Sequence, residues 1–295
     1  GVHAYKWVNE KGEVTYVKYK WVPLQTPKNL TSEEAEKIQA TAIEHATLDL
    51  HTEIEKGNFP KWDLYVQMLK KEDFASLDFN PVDVTKIWPE AVAKSVKVGT
   101  MTLNQNPSNY FQQVEQAAFS PGTLVPGIEP SEDKLLQGRL FSYFDTQRHR
   151  LSGNFQQIPV NASKNAVTTY NQDGYMSMRE QKGDVNYQPS TNAPAVVDDA
   201  KFKYSKSVFP AGTTTVQGKI DKENNFKQAG DLYKSFSKQD QDNLIKNLSG
   251  ALNSVKNKVI VQKMIAHFYQ ANNEYGTRLL KATNTSLNDI KPFIK

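Results

Sequence analysis

The sequence predicts an α+β fold, with strands concentrated in the first third of the chain and helices in the last quarter. Residues 3–8 and 14–22 alternate aromatic or branched side chains with polar ones, a pattern typical of half-buried strands. Residues 232–246 and 259–280 instead place apolar side chains at helical spacing. In the last of these helices we expect a core stripe formed by Ile260, Met264, His267 and Phe268.

The remaining elements of the N-terminal third follow from local signals. Residues 9–12 carry the turn composition that joins the first two strands into a hairpin. The segment Thr31-Ser-Glu-Glu34 is typical of a capping box and opens helical sequence, in one or two pieces, that ends at Gly57. Residues 62–69 and 95–103 are two further strand candidates.

The middle of the chain gives weaker signals. Residues 107–223 are rich in Asn, Gln, Pro, Ser and Gly, with one helix indicated around 109–118. A second helix is predicted from about Ser131, with that serine as its cap and acidic residues in its first turn. Residues 152–210 show no sustained period, and their composition alone is typical of disorder.

Composition narrows the function classes. Of the 295 residues, 38% are hydrophobic and 23% charged, and no apolar run is long enough to span a membrane, so we expect a soluble protein. The net charge of +4 is not gathered into a basic stripe, so nucleic-acid binding is not indicated. The absence of cysteine excludes disulfides, thiolate haem ligation and iron–sulfur clusters, and fits a cytoplasmic location. No signal peptide is visible.

The segment Arg139-Leu-Phe-Ser-Tyr-Phe-Asp-Thr-Gln147 carries the most specific chemistry. On a helix, where each residue advances about 100°, Arg139 lies one turn from Tyr143 and on the same side as Ser142, Thr146 and Arg150. A tyrosine ligates ferric haem as phenolate, although a free phenol is neutral near pH ~7. A fixed guanidinium nearby favours the anionic form.

This segment closely resembles the proximal haem-ligand signature of the haem catalases. The resemblance extends over nearly the whole chain and is densest between about residues 60 and 160. It includes, in the family's order, residues 62–67, 78–89, 104–111, 114–119, 126–129 and 133–138.

The resemblance implies a set of haem-binding residues. Tyr143 would be the axial ligand of the iron in haem b, and Arg139 the cation that keeps this ligand ionised. Arg150, His3 and Asp133 would form a proximal hydrogen-bond network, with Arg150 reaching a haem propionate and His3 held between Arg150 and Asp133. An anionic ligand pushes electron density onto iron and favours cleavage of a bound peroxide.

Three further points concern the binding residues. Phe119 occupies a family position near the haem, but a plain core role is at least as compatible with its sequence context. Without the flanking resemblance, Arg139 and Tyr143 would be an ordinary i,i+4 pair. Lys20 and Val22 depart from the residues with which some catalases bind a nicotinamide dinucleotide, so that cofactor is not predicted.

The family's distal histidine, asparagine and serine belong to a segment that would precede Gly1, and no residue here matches them. We therefore expect no catalytic acid–base residue in this chain and only background activity from it. His149 lies six residues after Tyr143, about 240° around the helix, and should point away from the iron.

The resemblance also implies the architecture. Residues 1–105 would form the second half of an antiparallel β-barrel with a helical insertion, residues 106–225 an extended wrapping segment that includes the ligand helix 131–150, and residues 226–295 a C-terminal helical domain. Half a barrel leaves two unpaired strand edges. A complementing N-terminal segment or a homo-oligomer, a tetramer in the family, would cover them.

Three functions remain open on the sequence. The first is a haem catalase that decomposes hydrogen peroxide to water and oxygen. The second is a truncated relative without activity that serves as a structural or interaction remnant. The third is a catalase-related enzyme that acts on larger hydroperoxides.

Overall fold

A computed structural model describes residues 1–165, 172–180, 205 and 224–294 of the chain. It contains one five-stranded antiparallel sheet and, within these residues, eight α-helices, so the predicted α+β class is confirmed. Contacts divide the chain into two compact units. The first comprises Gly1–Thr26 and Leu48–Thr213, and the second Pro27–Thr47 and Thr214–Lys295. The predicted division at 105 and 225 stays a prediction.

The sheet lies in the first unit and has the strand order β4-β3-β2-β1-β5. The four predicted strands are present, joined by a fifth: β1 (Tyr5–Val8), β2 (Val14–Pro23), β3 (Lys61–Leu69), β4 (Val96–Thr102) and β5 (Ile128–Pro130). The turn between β1 and β2 forms because Asn9 accepts from the backbone N–H groups of Lys11 and Glu13, at 3.0 and 2.9 Å, and Gly12 adopts φ +82°.

Strand β5 was not predicted, because three residues ending in proline carry almost no strand signal. It pairs with β1 at the edge of the sheet, with Ile128 opposite Trp7 and Pro130 opposite Tyr5. An edge strand tolerates proline because its outer side needs no N–H donor. This pairing matters for the site, since it brings the start of the next helix beside the first residues of the chain.

Two helices lie between β2 and β3. The predicted capping box is confirmed, since Thr31 and Glu34 bond each other's backbone N–H groups at the start of α1 (Ser32–Thr41). Helix α2 (His45–Glu55) follows, and Gly57 ends the helical segment with φ +82°. The two-piece reading of the helical sequence is therefore confirmed.

The middle of the chain contains short helical turns and one long helix. A 3₁₀ turn covers Lys71–Ser76, and the helix predicted around 109–118 is a π-helical turn at Phe111–Glu115. Helix α3 (Lys134–Leu151) carries the Arg139–Gln147 motif and is followed by a 3₁₀ turn at Phe155–Gln157. Much of the predicted wrapping segment lies outside the described residues.

The core of the first unit packs on one face of the sheet. Tyr16 of β2 packs against Phe74, with ring centroids 4.7 Å apart, and its hydroxyl donates to Glu132. Buried apolar residues complete this cluster: Ala4, Leu69, Phe79, Trp88 and Ala93. Burial of these side chains fixes β1, β2 and β3 in register, because a one-residue slip would expose the whole set.

The second unit is helical in its C-terminal part, with α4 (Lys227–Ser235), α5 (Lys238–Ser254), α6 (Lys258–Ala271), α7 (Asn273–Ala282), α8 (Leu287–Ile290) and a 3₁₀ turn at Lys291–Phe293. Helix α6 buries Val261, Ile265 and Ala266. The expected stripe was wrong in part, since Ile260 and Met264 are 50% and 39% exposed. No helix in the described ranges is long and apolar enough to cross a membrane.

Candidate functional site

Helix α3 begins at Asp133, and this one carboxylate performs two tasks. Its Oδ1 accepts from the backbone N–H groups of Leu135 and Leu136, at 2.9 and 3.1 Å, which makes Asp133 the N-cap. The predicted cap, Ser131, instead donates from its hydroxyl to the carbonyl of Ala4, at 2.5 Å. Because a single oxygen of Asp133 caps the helix, its second oxygen stays free to bind another group.

Four side chains form a continuous hydrogen-bonded relay from the helix N-terminus to a phenol. Asp133 Oδ2 lies 2.6 Å from His3 Nδ1, and His3 Nε2 lies 2.7 Å from Arg139 Nη1. Arg139 Nη2 donates to Tyr143 Oη at 2.6 Å. The relay joins residues 140 positions apart in sequence, and β5 and the β1–β2 hairpin make that meeting possible.

The partners of His3 fix its tautomer. A guanidinium has only donors, so His3 Nε2 must accept from Arg139. The ring proton therefore lies on Nδ1 and is donated to the carboxylate of Asp133. His3 is thus a neutral connector, whose orientation is set at both ends.

The relay runs from the interior of the unit to a cleft. His3 and Asp133 are 5% and 2% exposed, whereas Arg139 and Tyr143 are half-buried. Hydrogen bonds between desolvated charged groups are stronger than exposed ones. The Arg139–Tyr143 pair therefore differs from an isolated surface pair, because the buried part of the relay holds the guanidinium in place.

The phenol of Tyr143 opens into a cleft of about 290 Å³. Its walls include the rings of Tyr5 and Tyr19 from the sheet and of Phe119 from the segment before β5. Phe119 is 81% exposed, which is unusual for a phenyl ring. Its predicted alternative role as plain core is therefore wrong, and the cleft offers an apolar wall beside a phenol oxygen.

Arg150 does not contact His3, although the resemblance implied that it would, whereas its predicted contact with a haem propionate stays a prediction. It donates from Nη1 to the carbonyl of Glu115 at 2.6 Å and from Nη2 to that of Ala117 at 2.8 Å, and it also bonds Gln147. The expectation that His3 lies between Arg150 and Asp133 is wrong, because Arg139 occupies that position. The reason is helical geometry: Arg150 lies three turns from Arg139 and faces the π-helical turn.

Sequence reasoning missed one polar residue that supports the cleft. Gln147, only 7% exposed, donates to the carbonyl of Phe119 at 3.1 Å and accepts from Arg150 Nη2 at 2.7 Å. It therefore fixes the backbone that carries the Phe119 ring. Its position four residues after Tyr143, on the same side of the helix, was the signal that could have identified it.

The remaining histidines do not contribute to the cleft. His149 is exposed, and its Nδ1 lies 2.9 Å from the carbonyl oxygen of Asp145. His45 and His51 lie on α2, and His267 stacks on Phe226. His3 is the one histidine of the chain that lines the cleft, and both of its ring nitrogens are engaged.

Comparison with known families matches two parts of the chain. The family model described as "Catalase" matches residues 1–194, and the one described as "Catalase-related immune-responsive" matches residues 219–283. The first match covers about two thirds of the chain and includes every residue of the relay.

Individual proteins similar to this chain are also catalases. The chain is 48% identical to the catalase of Vibrio cholerae over 290 residues and 47% identical to that of Pseudomonas aeruginosa, in each case over 98% of this chain. These matches cover 57% and 55% of the relatives, so the chain spans somewhat more than half their length.

Solved structures with a similar fold are catalases as well. A structure described as that of a bacterial catalase superposes with a TM-score of 0.85 at 30% identity, over 96% of this chain and 59% of the other. A fungal catalase gives 0.82 at 35% identity, over 96% of this chain and 58% of the other. The antiparallel sheet with its helices is thus a catalase-type α+β architecture. The chain belongs to the catalase family.

Proposed function

We propose that this chain forms the proximal side of a haem catalase that decomposes hydrogen peroxide, with Tyr143 as the axial ligand of the iron. The observation that carries the proposal is the relay from Asp133 through His3 and Arg139 to the oxygen of Tyr143. It supplies an oxygen donor of the kind that ferric haem accepts, with the guanidinium of Arg139 held 2.6 Å from that oxygen.

The residues around the cleft fit a haem. A planar, largely apolar macrocycle needs flat apolar walls, and the rings of Phe119, Tyr5 and Tyr19 line the cleft beside Tyr143. We include Phe119 in the proposed binding set because its ring is exposed in the cleft. We leave Arg150 out, because its donors bind backbone carbonyls and Gln147.

The relay has a defined electrostatic task in this proposal. Arg139 donates a charge-assisted hydrogen bond to the phenol oxygen, which becomes stronger when that oxygen is anionic. Neutral His3 accepts from Arg139 without adding a second positive charge, and Asp133 anchors His3 to the helix N-terminus. Bound haem b would supply the redox chemistry by which peroxide is converted to water and oxygen.

We further propose that turnover needs an acid–base group that these residues do not provide. His3 is held in one tautomer by two hydrogen bonds and cannot exchange a proton without losing one of them. A positioned acid–base group typically contributes about 10²- to 10⁴-fold to a rate. The chain reconstituted with haem should therefore release oxygen from peroxide only at background level.

The test is the absorption spectrum of the haem-loaded chain. Tyr143→Phe should shift the Soret band and lower haem affinity by an order of magnitude or more, because the iron loses its oxygen ligand. Tyr175→Phe is the matched control, since it removes a phenol that is 89% exposed and is not among the residues lining the cleft. An unchanged spectrum in Tyr143→Phe would contradict the ligand assignment, and no Soret band in the unaltered chain would favour a structural remnant.

A further inference from the structure

Three aromatic side chains of the β1–β2 hairpin form a cluster that reaches the cleft. The ring of Tyr19 lies 6.2 Å from that of Tyr5 and 6.3 Å from that of Trp7, measured between centroids. Tyr5 and Tyr19 line the cleft together with Tyr143. The cluster thus places two easily oxidised phenols beside the proposed iron ligand, with an indole behind them.

The two phenols differ in what faces their oxygen atoms. Trp7 Nε1 donates to Tyr19 Oη at 2.7 Å, and an indole N–H can act only as a donor. The oxygen of Tyr5 faces a carbonyl instead, since its hydroxyl points to the oxygen of Pro121 at 3.5 Å. Only Tyr19 therefore has, among these contacts, a donor directed at its oxygen.

Packing explains the rings but not this asymmetry. Cross-strand aromatic neighbours stabilise a sheet by a few tenths of a kcal/mol, up to about 1 kcal/mol. A half-buried indole also needs an acceptor, which any backbone carbonyl could supply. The acceptor here is the phenol oxygen of Tyr19, a residue that lines the cleft. This phenol therefore differs from that of Tyr5 in having an N–H donor at its oxygen.

We propose that Tyr19 is a redox-active tyrosine that yields one electron to a one-electron oxidant in the cleft and is held as a phenoxyl radical by the Trp7 N–H group. In this step the phenol O–H bond breaks, the electron reduces the oxidant by one equivalent, and the proton leaves to water. A small reductant such as ascorbate returns the electron, and water returns the proton. The nature of the oxidant, a haem treated with peroxide, rests on the proposed function, whereas the radical site does not.

The surroundings of Tyr19 suit both forms of the side chain. Burial raises the pKa of the Tyr19 phenol, although the bond from Trp7 opposes this effect, so the resting side chain is neutral. The oxygen of a phenoxyl radical carries partial negative charge, and a hydrogen bond from an N–H donor stabilises it. The Trp7 bond therefore favours the radical at Tyr19 over one at Tyr5.

The absence of cysteine allows an oxidant to be placed at the cleft without haem. Ser120 lines the cleft, and Ser120→Cys would be the single thiol of the chain. A ruthenium photo-oxidant attached there, in a Tyr143→Phe background that removes the competing phenol, is excited by a flash with an electron scavenger present. High-field electron paramagnetic resonance after freezing then identifies the radical and its hydrogen bonding.

Two substitutions and one control decide the outcome. Tyr19→Phe should lower the phenoxyl signal by an order of magnitude, whereas Tyr65→Phe, on the neighbouring strand β3 and not among the cleft-lining residues, should leave it unchanged. Trp7→Phe should keep the signal but raise its largest g value, because the oxygen loses its donor. Circular dichroism checks that each variant is folded. A signal that persists in Tyr19→Phe, or a g value that does not respond to Trp7→Phe, overturns the proposal.

Tyr19→Phe and Trp7→Phe, made in the haem-loaded chain with Tyr143 and Ser120 retained, separate this inference from the proposed function. Peroxide followed by rapid freezing should give the same Tyr19 signal in a chain that shows a Soret band. If the chain binds no haem but the photo-oxidant produces the Tyr19 radical, the proposed function fails and the radical site stands. If haem binds to Tyr143 but Tyr19→Phe changes neither the radical signal from the photo-oxidant nor the one from peroxide, the radical site fails and the proposed function stands.

Discussion

Replacement of Asp133 tests the relay most directly, because this side chain caps α3 and holds His3 at once. In Asp133→Ala the helix loses its cap, which costs about 1 kcal/mol of unfolding free energy. The buried N–H of His3 also loses its acceptor, which costs about 1 to 3 kcal/mol. We therefore expect the first unit to lose about 2 to 4 kcal/mol of stability.

Asp133→Asn should separate the two contributions. If the amide oxygen keeps the cap, the amide N–H₂ group faces the Nδ1–H of His3, so two donors meet. A change of tautomer moves the conflict to Nε2, which would then point its hydrogen at Arg139 Nη1. One donor remains unsatisfied in each case, so we expect Asp133→Asn to cost about 1 kcal/mol less than Asp133→Ala.

Urea unfolding followed by tryptophan fluorescence measures these values, because all four tryptophans lie in the first unit. Asp145→Ala is the control on the same helix, where an exposed carboxylate should matter by less than about 0.5 kcal/mol. Equal losses in Asp133→Ala and Asp133→Asn would refute the double role. A loss below about 1 kcal/mol in Asp133→Ala would refute the buried bond to His3.

Two further predictions concern a close backbone approach and a buried lysine. Gly276→Ala would place a Cβ atom 2.4 Å from the Cα of Tyr269, so we expect the free energy of unfolding to fall by about 2 kcal/mol or more. Gly250→Ala is the control: the space around this helical glycine is open, so the free energy of unfolding should rise by about 0.5 to 1 kcal/mol. Urea unfolding followed by circular dichroism measures both values. Burial lowers the pKa of Lys18 to about 8, below its ordinary 10.5, although Asp133 opposes the shift. Above pH ~8 the folded state therefore binds fewer protons than the unfolded state, so the stability of the first unit should rise from pH ~8 to ~9.5. Lys18→Met should flatten that rise. An unchanged slope of stability against pH in this variant would contradict the assignment of the rise to Lys18.

Local patterns were enough to predict the elements that carry their own signals. The hairpin, the capping box and strands β3 and β4 each have a period or a turn motif within a few residues. Strand β5 has neither, because its pairing with β1 depends on tertiary contacts. The core stripe of α6 was misplaced by one residue, since this helix is apolar on several sides and spacing alone does not select the buried one.

The candidate site was predictable as a set of residues but not as a geometry. The motif of α3 identified Arg139 and Tyr143, and the resemblance added His3 and Asp133. Which arginine contacts His3 depends on where the hairpin meets the helix, so Arg150 was placed there wrongly. Tyr19 went unnoticed as a functional residue because its significance comes from the Trp7 bond across the hairpin.

The sequence distance within the relay has a consequence for biosynthesis. His3 is synthesised 130 residues before Asp133 and 136 residues before Arg139. At translation rates of about 5 to 20 residues per second, His3 waits roughly 7 to 26 s before its carboxylate partner exists. Conditions that slow elongation would therefore lengthen the time during which the nascent chain carries an unpaired histidine, and the proposed capture of haem by Tyr143 would come only after α3 is made.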